Sequence, residues 1–154
     1  MWLQVTIQEA AFDLGAEEIA LRDHAGDAGA LVAFQGMVRA RDHEQPLVAM
    51  HLEHYPELTE AEITRIVQQA QQQWPISACR VIHRVGRLLP NEVIVLVIVA
   101  SAHRKAAFDA ASYIMDYLKT EAPFWKKEEF ANGQYEWVKA KASDTQAKAR
   151  WTAA

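Results

Sequence analysis

The sequence predicts an α+β domain, and three of its features carry that prediction. Segments that alternate apolar and polar residues recur at irregular spacing. Segments with a helical apolar stripe fall between them, and Asn132-Gly133 sits where a hairpin would turn. The chain has 154 residues, 51% hydrophobic and 23% charged, an ordinary globular balance. It reads as a single domain, 1–154, large enough to bury a core without disulfide staples.

The elements follow in order. Trp2 to Ile7 alternates and reads as a strand, and Ala16 to Arg22 as a short helix. Gly29 to Gly36 (GALVAFQG) is a compact apolar run between glycines, expected as a buried strand. Arg39 to Pro46 is polar and reads as a loop. Leu47 to His54 is a second strand, stopped by Pro56. Thr59-Glu60-Ala61-Glu62 has the form of a capping box, in which hydroxyl and carboxylate each satisfy an orphan backbone donor. Ile63, Ile66, Val67, Ala70 and Trp74 then repeat at helical spacing until Pro75.

Cys79, Val81, His83 and Val85 alternate with Arg80, Ile82 and Arg84, a strand with one mainly apolar face. Glu92 to Ala100 (EVIVLVIVA) is apolar at nearly every position and should be a central strand covered on both faces. Ser101 is expected to cap a helix reaching about Thr120, with Phe108, Ala111, Met115 and Leu118 as its core stripe. Pro123 closes it. Phe124 to Glu128 and Tyr135 to Val138 flank the hairpin turn, and Ser143 or Asp144 would cap a last helix to Trp151.

Composition excludes several classes. Net charge is −4, so an anionic ligand must be met by a local cluster of base and not by the global field. A nucleic-acid or membrane partner is not expected. The longest apolar run, Val93 to Ala102, falls well short of the roughly 20 residues of a membrane helix, and no charged-then-apolar leader opens the chain. The single cysteine, Cys79, rules out an internal disulfide framework and a multi-cysteine zinc site, and fits a reducing, cytoplasmic setting. Cys79 keeps step with Val81 and Val85 and so reads as a core thiol, with no neighbouring base to make it a nucleophile. His51 and His54 lie on opposite strand faces, a poor metal pair. No metal and no cofactor is expected.

Positive charge and imidazole gather at four places: Met37-Val38-Arg39 after the glycine-bounded strand, Ser101-Ala102-His103-Arg104 at a strand-to-helix junction, Lys119 near that helix's end, and Phe124-Trp125-Lys126-Lys127-Glu128 beyond it. The junction serves either as a plain cap with solvated first-turn residues or as an anion site on free backbone N–H groups. Lys119 shares a face with Met115. It either snorkels its charge to water or works in proton transfer and anion stabilisation. His103 and Lys119 are sixteen residues apart on one helix, about 24 Å, too far to meet around a small ligand. A pocket holding both would need His103 and Arg104 from a second copy of the chain.

The stretches GALVAFQGMVR (29–39), LEHYP (52–56), VIHRVGRL (81–88), SAHR (101–104), YIMDYLKTEAPFWKKE (113–128) and EWVKAKASD (136–144), in this order and spacing, resemble the large, catalytic subunit of molybdopterin synthases. The resemblance covers nearly the whole chain. It implies an α/β hammerhead with an additional antiparallel β-sheet subdomain. It also implies a sulfurtransferase of molybdenum cofactor biosynthesis that converts cyclic pyranopterin monophosphate into the dithiolene of molybdopterin. The sulfur would arrive as a thiocarboxylate on the C-terminal Gly-Gly of a small ubiquitin-like subunit. A homodimer of large subunits would form the core of a heterotetramer. By the same resemblance, substrate binding falls on Met37, Val38, Arg39, His103, Arg104, Lys119, Lys126, Lys127 and Glu128. Lys119 would be the main catalytic group with Lys126 in support, and Phe34 and Met115 would line the channel for the partner's tail. Lys141 stands where the family often has an arginine reaching across the dimer, and an ammonium cannot reproduce a bidentate guanidinium contact. Two other readings fit the residues: a non-catalytic module docking a ubiquitin-like partner, and an α+β domain binding a phosphate ligand.

Overall fold

The computed structural model describes residues 1–40, 46–138 and 142–152. Twelve elements follow one another: β1 (Trp2–Gln8), α1 (Leu14–Arg22), β2 (Ala30–Met37), β3 (Leu47–His54), α2 (Leu58–Gln73), β4 (Ala78–Arg84), β5 (Gly86–Leu88), β6 (Val93–Ser101), α3 (Arg104–Glu121), β7 (Phe124–Phe130), β8 (Tyr135–Trp137) and α4 (Ala142–Ala149). They make two four-stranded sheets, ordered β1-β4-β6-β2 and β5-β3-β7-β8. Among the described residues only β1 and β4 pair in parallel, and the second sheet is antiparallel throughout. This is the α+β architecture expected from the sequence.

Strand alternation decides where the core lies. Cys79, Val81 and Val85 of the β4 stretch join Val95, Val97 and Val99 of β6 in the main core, with α2, α3, and Leu47 and Leu52 of β3. The opposite face of the same strands, Ala78 and Ile82 with Leu96, Ile98 and Ala100, packs under α1 through Leu21. β6 is therefore covered on both sides, as its unbroken apolar run requires. Arg80 lies on the α1 side, nearly buried. Its guanidinium donates to Glu17, to Thr6 and to the Gln4 and Val81 carbonyls, so the burial leaves no unpaired charge.

Five expectations are corrected. β2 is an edge strand of its sheet, with only β6 beside it among the described residues, so Ala33, Phe34 and Gln35 are exposed instead of buried. Ser101 does not cap α3. It ends β6, fully buried, with its hydroxyl donated to the Pro75 carbonyl, and His103 takes the N-cap position without a side-chain cap. Thr59 lies inside α2, whose N-cap is Glu57 at φ 68° with no side-chain cap. Phe108 is 59% exposed and off the buried stripe, which runs through Ala107, Ala110, Ala111, Ile114, Met115 and Leu118. α4 starts at Ala142, which puts Ser143 and Asp144 in its first turn. No helix among the described residues is long and apolar enough to cross a membrane.

Candidate active site

The corner between α3 and β7 brings the two central lysines to one place. α3 ends at Glu121, and only Ala122 and Pro123 separate it from β7. Lys119 stands exposed on the last turn. Lys126 is half-buried on the inner face of β7, in line with Phe124 and the buried Glu128. β7 pairs with β3 so that Phe124 lies opposite His54 and Lys126 opposite Leu52. The corner is tied to α2 by Thr59, whose hydroxyl donates to the Pro123 carbonyl at 3.1 Å and accepts the Tyr55 N–H at 3.1 Å. The residue read as a helix cap thus anchors the site.

His83 packs against this corner. Its ring stacks on Phe124 with centroids 4.0 Å apart and planes at 25°. Its Nδ1 lies 2.9 Å from the Arg84 carbonyl, which can only accept, so Nδ1 carries the proton and Nε2 is the open acceptor of the neutral ring. Burial pushes the imidazole down from 6.5 to about 4, against the hydrogen bond to Arg84, and Lys126, His54 and Lys119 push it the same way as burial. The protein thus gathers two ammonium groups and two imidazoles at one corner of the fold.

The titration of His83 has a consequence for stability. The unfolded chain takes up this proton near pH 6.5 and the folded chain only near pH 4. Between these values the unfolded state binds more protons, so stability falls as pH drops through the window and levels off below it. A shift of this size corresponds to a loss on the order of 3 kcal/mol. Urea unfolding at neutral pH and near pH 4.5 should show a larger acid loss in the wild type than in His83→Phe. Equal losses would show that His83 titrates normally.

The remaining sequence-derived residues are placed as follows. Val38 is buried in the main core, its N–H donated to the Glu92 carbonyl and its carbonyl accepting from Asn91 N–H. Met37 and Arg39 on either side are exposed. Phe34 faces the α3 side of its sheet, opposite Val97, the side on which Met115 is buried. Gly36 keeps this shelf open, since a Cβ there would come within 2.6 Å of Val95 Cγ1 and 3.5 Å of Phe34 Cε1. Lys127 points to the outer face of the second sheet, away from Lys126. Its ammonium lies 4.7 Å from the Tyr135 ring centre and 5.5 Å from that of Trp137. On that outer face Arg87, His51 and Tyr135 converge on Glu129 and hold its carboxyl down to about 2.

His103 and Arg104, both exposed, begin the helix that Lys119 ends, about 22 Å away, so one chain does not bring them together. Lys141 lies outside the described residues. Cys79 is fully buried in the core, and burial pushes its thiol up to about 12. By sequence His54 reads as half of a poor metal pair and His83 only as part of a strand face, so neither is expected at the site. The signal for His83 was available, because it is the one polar residue in step with Cys79, Val81 and Val85. A groove of about 470 Å³ lined by Glu53, His54, Tyr55, Trp125 and Trp137 opens beside the α3–β7 corner.

Fold and site together define an α+β protein that gathers cations at one corner and keeps its only thiol out of it. The profile of the family described as MoaE protein matches residues 7–121, and the chain belongs to that family. It is 52% identical over 148 residues to a molybdopterin synthase catalytic subunit of Mesorhizobium japonicum, covering 96% of this chain and 92% of that protein. Among solved structures, the molybdopterin biosynthesis MoaE protein of Burkholderia ambifaria matches with a TM-score of 0.84 at 45% identity, covering 100% of both chains. A chain from the complex of subunits 1 and 2 of the molybdopterin-converting factor of Helicobacter pylori shares the fold at 21% identity. Its TM-score is 0.70, with 90% of each chain covered.

Proposed function

We propose that this chain is the catalytic subunit of a molybdopterin synthase, a sulfurtransferase that works with sulfur brought by a partner. One observation carries the reading: Lys119, Lys126 and His54 gather around His83 at one corner of the fold while the only thiol is shut in the core with its pKa raised. A site built this way suits anions and supplies no nucleophilic sulfur. The sulfur then comes as a thiocarboxylate on the C-terminal Gly-Gly of a small ubiquitin-like subunit. Its tail passes along the shelf of Phe34 and Met115. The substrate is cyclic pyranopterin monophosphate.

The steps balance as follows. The thiocarboxylate sulfur attacks a side-chain carbon of the pterin; the C–S bond forms as a C–O bond of that carbon breaks, the oxygen leaves with the electron pair and takes up a proton, and tail and pterin are left joined as a thioester. Water adds to the thioester carbonyl, the acyl C–S bond breaks, and the tail leaves as a carboxylate. Lys119 stabilises the oxyanion of the tetrahedral adduct, and Lys126 offsets charge on the incoming thiocarboxylate. A second small subunit delivers the second sulfur to the bound intermediate. Arg39 holds the phosphate together with His103 and Arg104, which are supplied by a second copy of the chain because their own helix carries them about 22 Å from Lys119. Of the other implied positions, Met37 is exposed beside Arg39 and Glu128 follows Lys126 on the inner face of β7, whereas Val38 acts only through core packing and Lys127, on the outer face, does not share the site of Lys126.

Reconstitution with the purified pterin phosphate and a thiocarboxylated small subunit tests the reading. Dithiolene product supports it. Partner binding without product would reduce the chain to a docking module. Pterin binding that ignores the partner would make it a phosphate-ligand protein.

A further inference from the structure

The relative placement of Lys119 and Lys126 is governed by the two-residue corner between them, because Lys119 is fixed on α3 and Lys126 lies two residues beyond Phe124 on one face of β7. The corner itself is short and tight, with the Phe124 N–H donated to the Ala122 carbonyl at 2.9 Å. Two contacts hold it from outside. One is Thr59 on the Pro123 carbonyl, and the other is the ring of His83 against Phe124. His83 belongs to β4, an interior strand paired to β1 and β6 at Ile7 and Val95, so its backbone is a rigid reference point. Its ring is locked in plane by the Nδ1–H bond to the Arg84 carbonyl.

We propose that His83 is a positioning residue: stacked on Phe124, it fixes the α3–β7 corner and so sets Lys126 against Lys119. The inference rests on the sulfur-transfer reading and adds a residue to it. An imidazole suits the place for two reasons. Its Nδ1–H gives the ring an anchor on the strand that a phenyl ring lacks. Uncharged, it puts a flat face, and no third cation, beside the groups that surround it: His54 from β3, Lys119 from α3 and Lys126 from β7.

The test compares His83→Ala and His83→Phe in the assembled enzyme with thiocarboxylated small subunit. A misplacement of about 1 Å can cost up to about a hundredfold in rate, so His83→Ala should lower kcat at least about tenfold, with KM for the pterin phosphate and small-subunit affinity changed less than about twofold. His83→Phe keeps a ring against Phe124 and should recover kcat to within about threefold of wild type. A crystal structure of His83→Ala should show Phe124 to Lys126 displaced relative to Lys119. Wild-type kcat in His83→Ala, or His83→Phe as slow as His83→Ala, would overturn the proposal. Should His83→Ala fail to fold, Phe124→Ala removes the other ring and should show the same kcat loss; wild-type kcat there would overturn it equally. A wild-type enzyme that made no dithiolene would count against the sulfur-transfer reading alone, and the crystallographic displacement would still decide the positioning.

Discussion

Lys119→Ala is expected to fold normally, bind the small subunit with wild-type affinity, and lose roughly a hundredfold or more of its dithiolene-forming rate, the loss seen when one donor to a developing oxyanion is removed. The structure explains why the three readouts separate. Lys119 is exposed on the last turn of α3, so its ammonium is not part of the core. The apolar residue one turn earlier, Met115, carries the packing of that face. Removing the lysine therefore costs little stability, and alanine is a good helix former. On the proposed mechanism, the charge lost matters only when the thiocarboxylate adduct forms. Stopped-flow product formation, calorimetric titration with the small subunit and thermal unfolding check the three parts. A variant that turned over at the wild-type rate would remove Lys119 from the chemistry.

Two inactive variants should restore one another when mixed. On the proposed reading, Lys119→Ala spoils the site of its own chain, and Arg104→Ala spoils the phosphate contact that its chain would lend to a partner. In a homodimer whose sites draw on both copies, a mixed dimer carries one site with both defects and one with neither. Random association puts half of the molecules in mixed dimers, so about a quarter of all sites should be intact. Co-expressing the two chains should return about that fraction of wild-type turnover, well above either variant alone. Sites built within one chain would give no such recovery. The geometric basis is the length of α3: a helix from Arg104 to Glu121 is a rigid spacer of known rise, and it holds the two groups at opposite ends.

Much of this architecture was legible in the residues because periodicity reports burial directly. The run EVIVLVIVA can only be a strand covered on both faces, and β6 is one. Asn132-Gly133 turns the β7–β8 hairpin with Gly133 at φ 80°, a conformation few other residues accept. The misreadings all concern what a residue meets across the fold. Ser101 and Thr59 have the chemistry of caps, yet their hydroxyls are spent on carbonyls of distant segments, Pro75 and Pro123. Local spacing carries no information about such partners. The glycine-bounded apolar run before Met37 reads as interior, but burial depends on how many neighbours a strand gains, and among the described residues β2 has only β6 beside it. The proposed pairing of Lys119 with Lys126 is legible only through the family resemblance, since their spacing alone leaves Lys119 a snorkelling surface lysine. His83 needed the structure, because a histidine on an apolar strand face gains meaning only from the ring and the charges placed over it.

The central claim is that the sulfur belongs to the partner and the site supplies only charge and geometry. It is tested most directly by a Cys79→Ala chain, which contains no cysteine at all, reconstituted with a small subunit whose thiocarboxylate carries radioactive sulfur. The expected result is molybdopterin with both dithiolene sulfurs labelled, formed at close to the wild-type rate. Product that failed to carry the label, or turnover that vanished in the folded variant, would contradict the account.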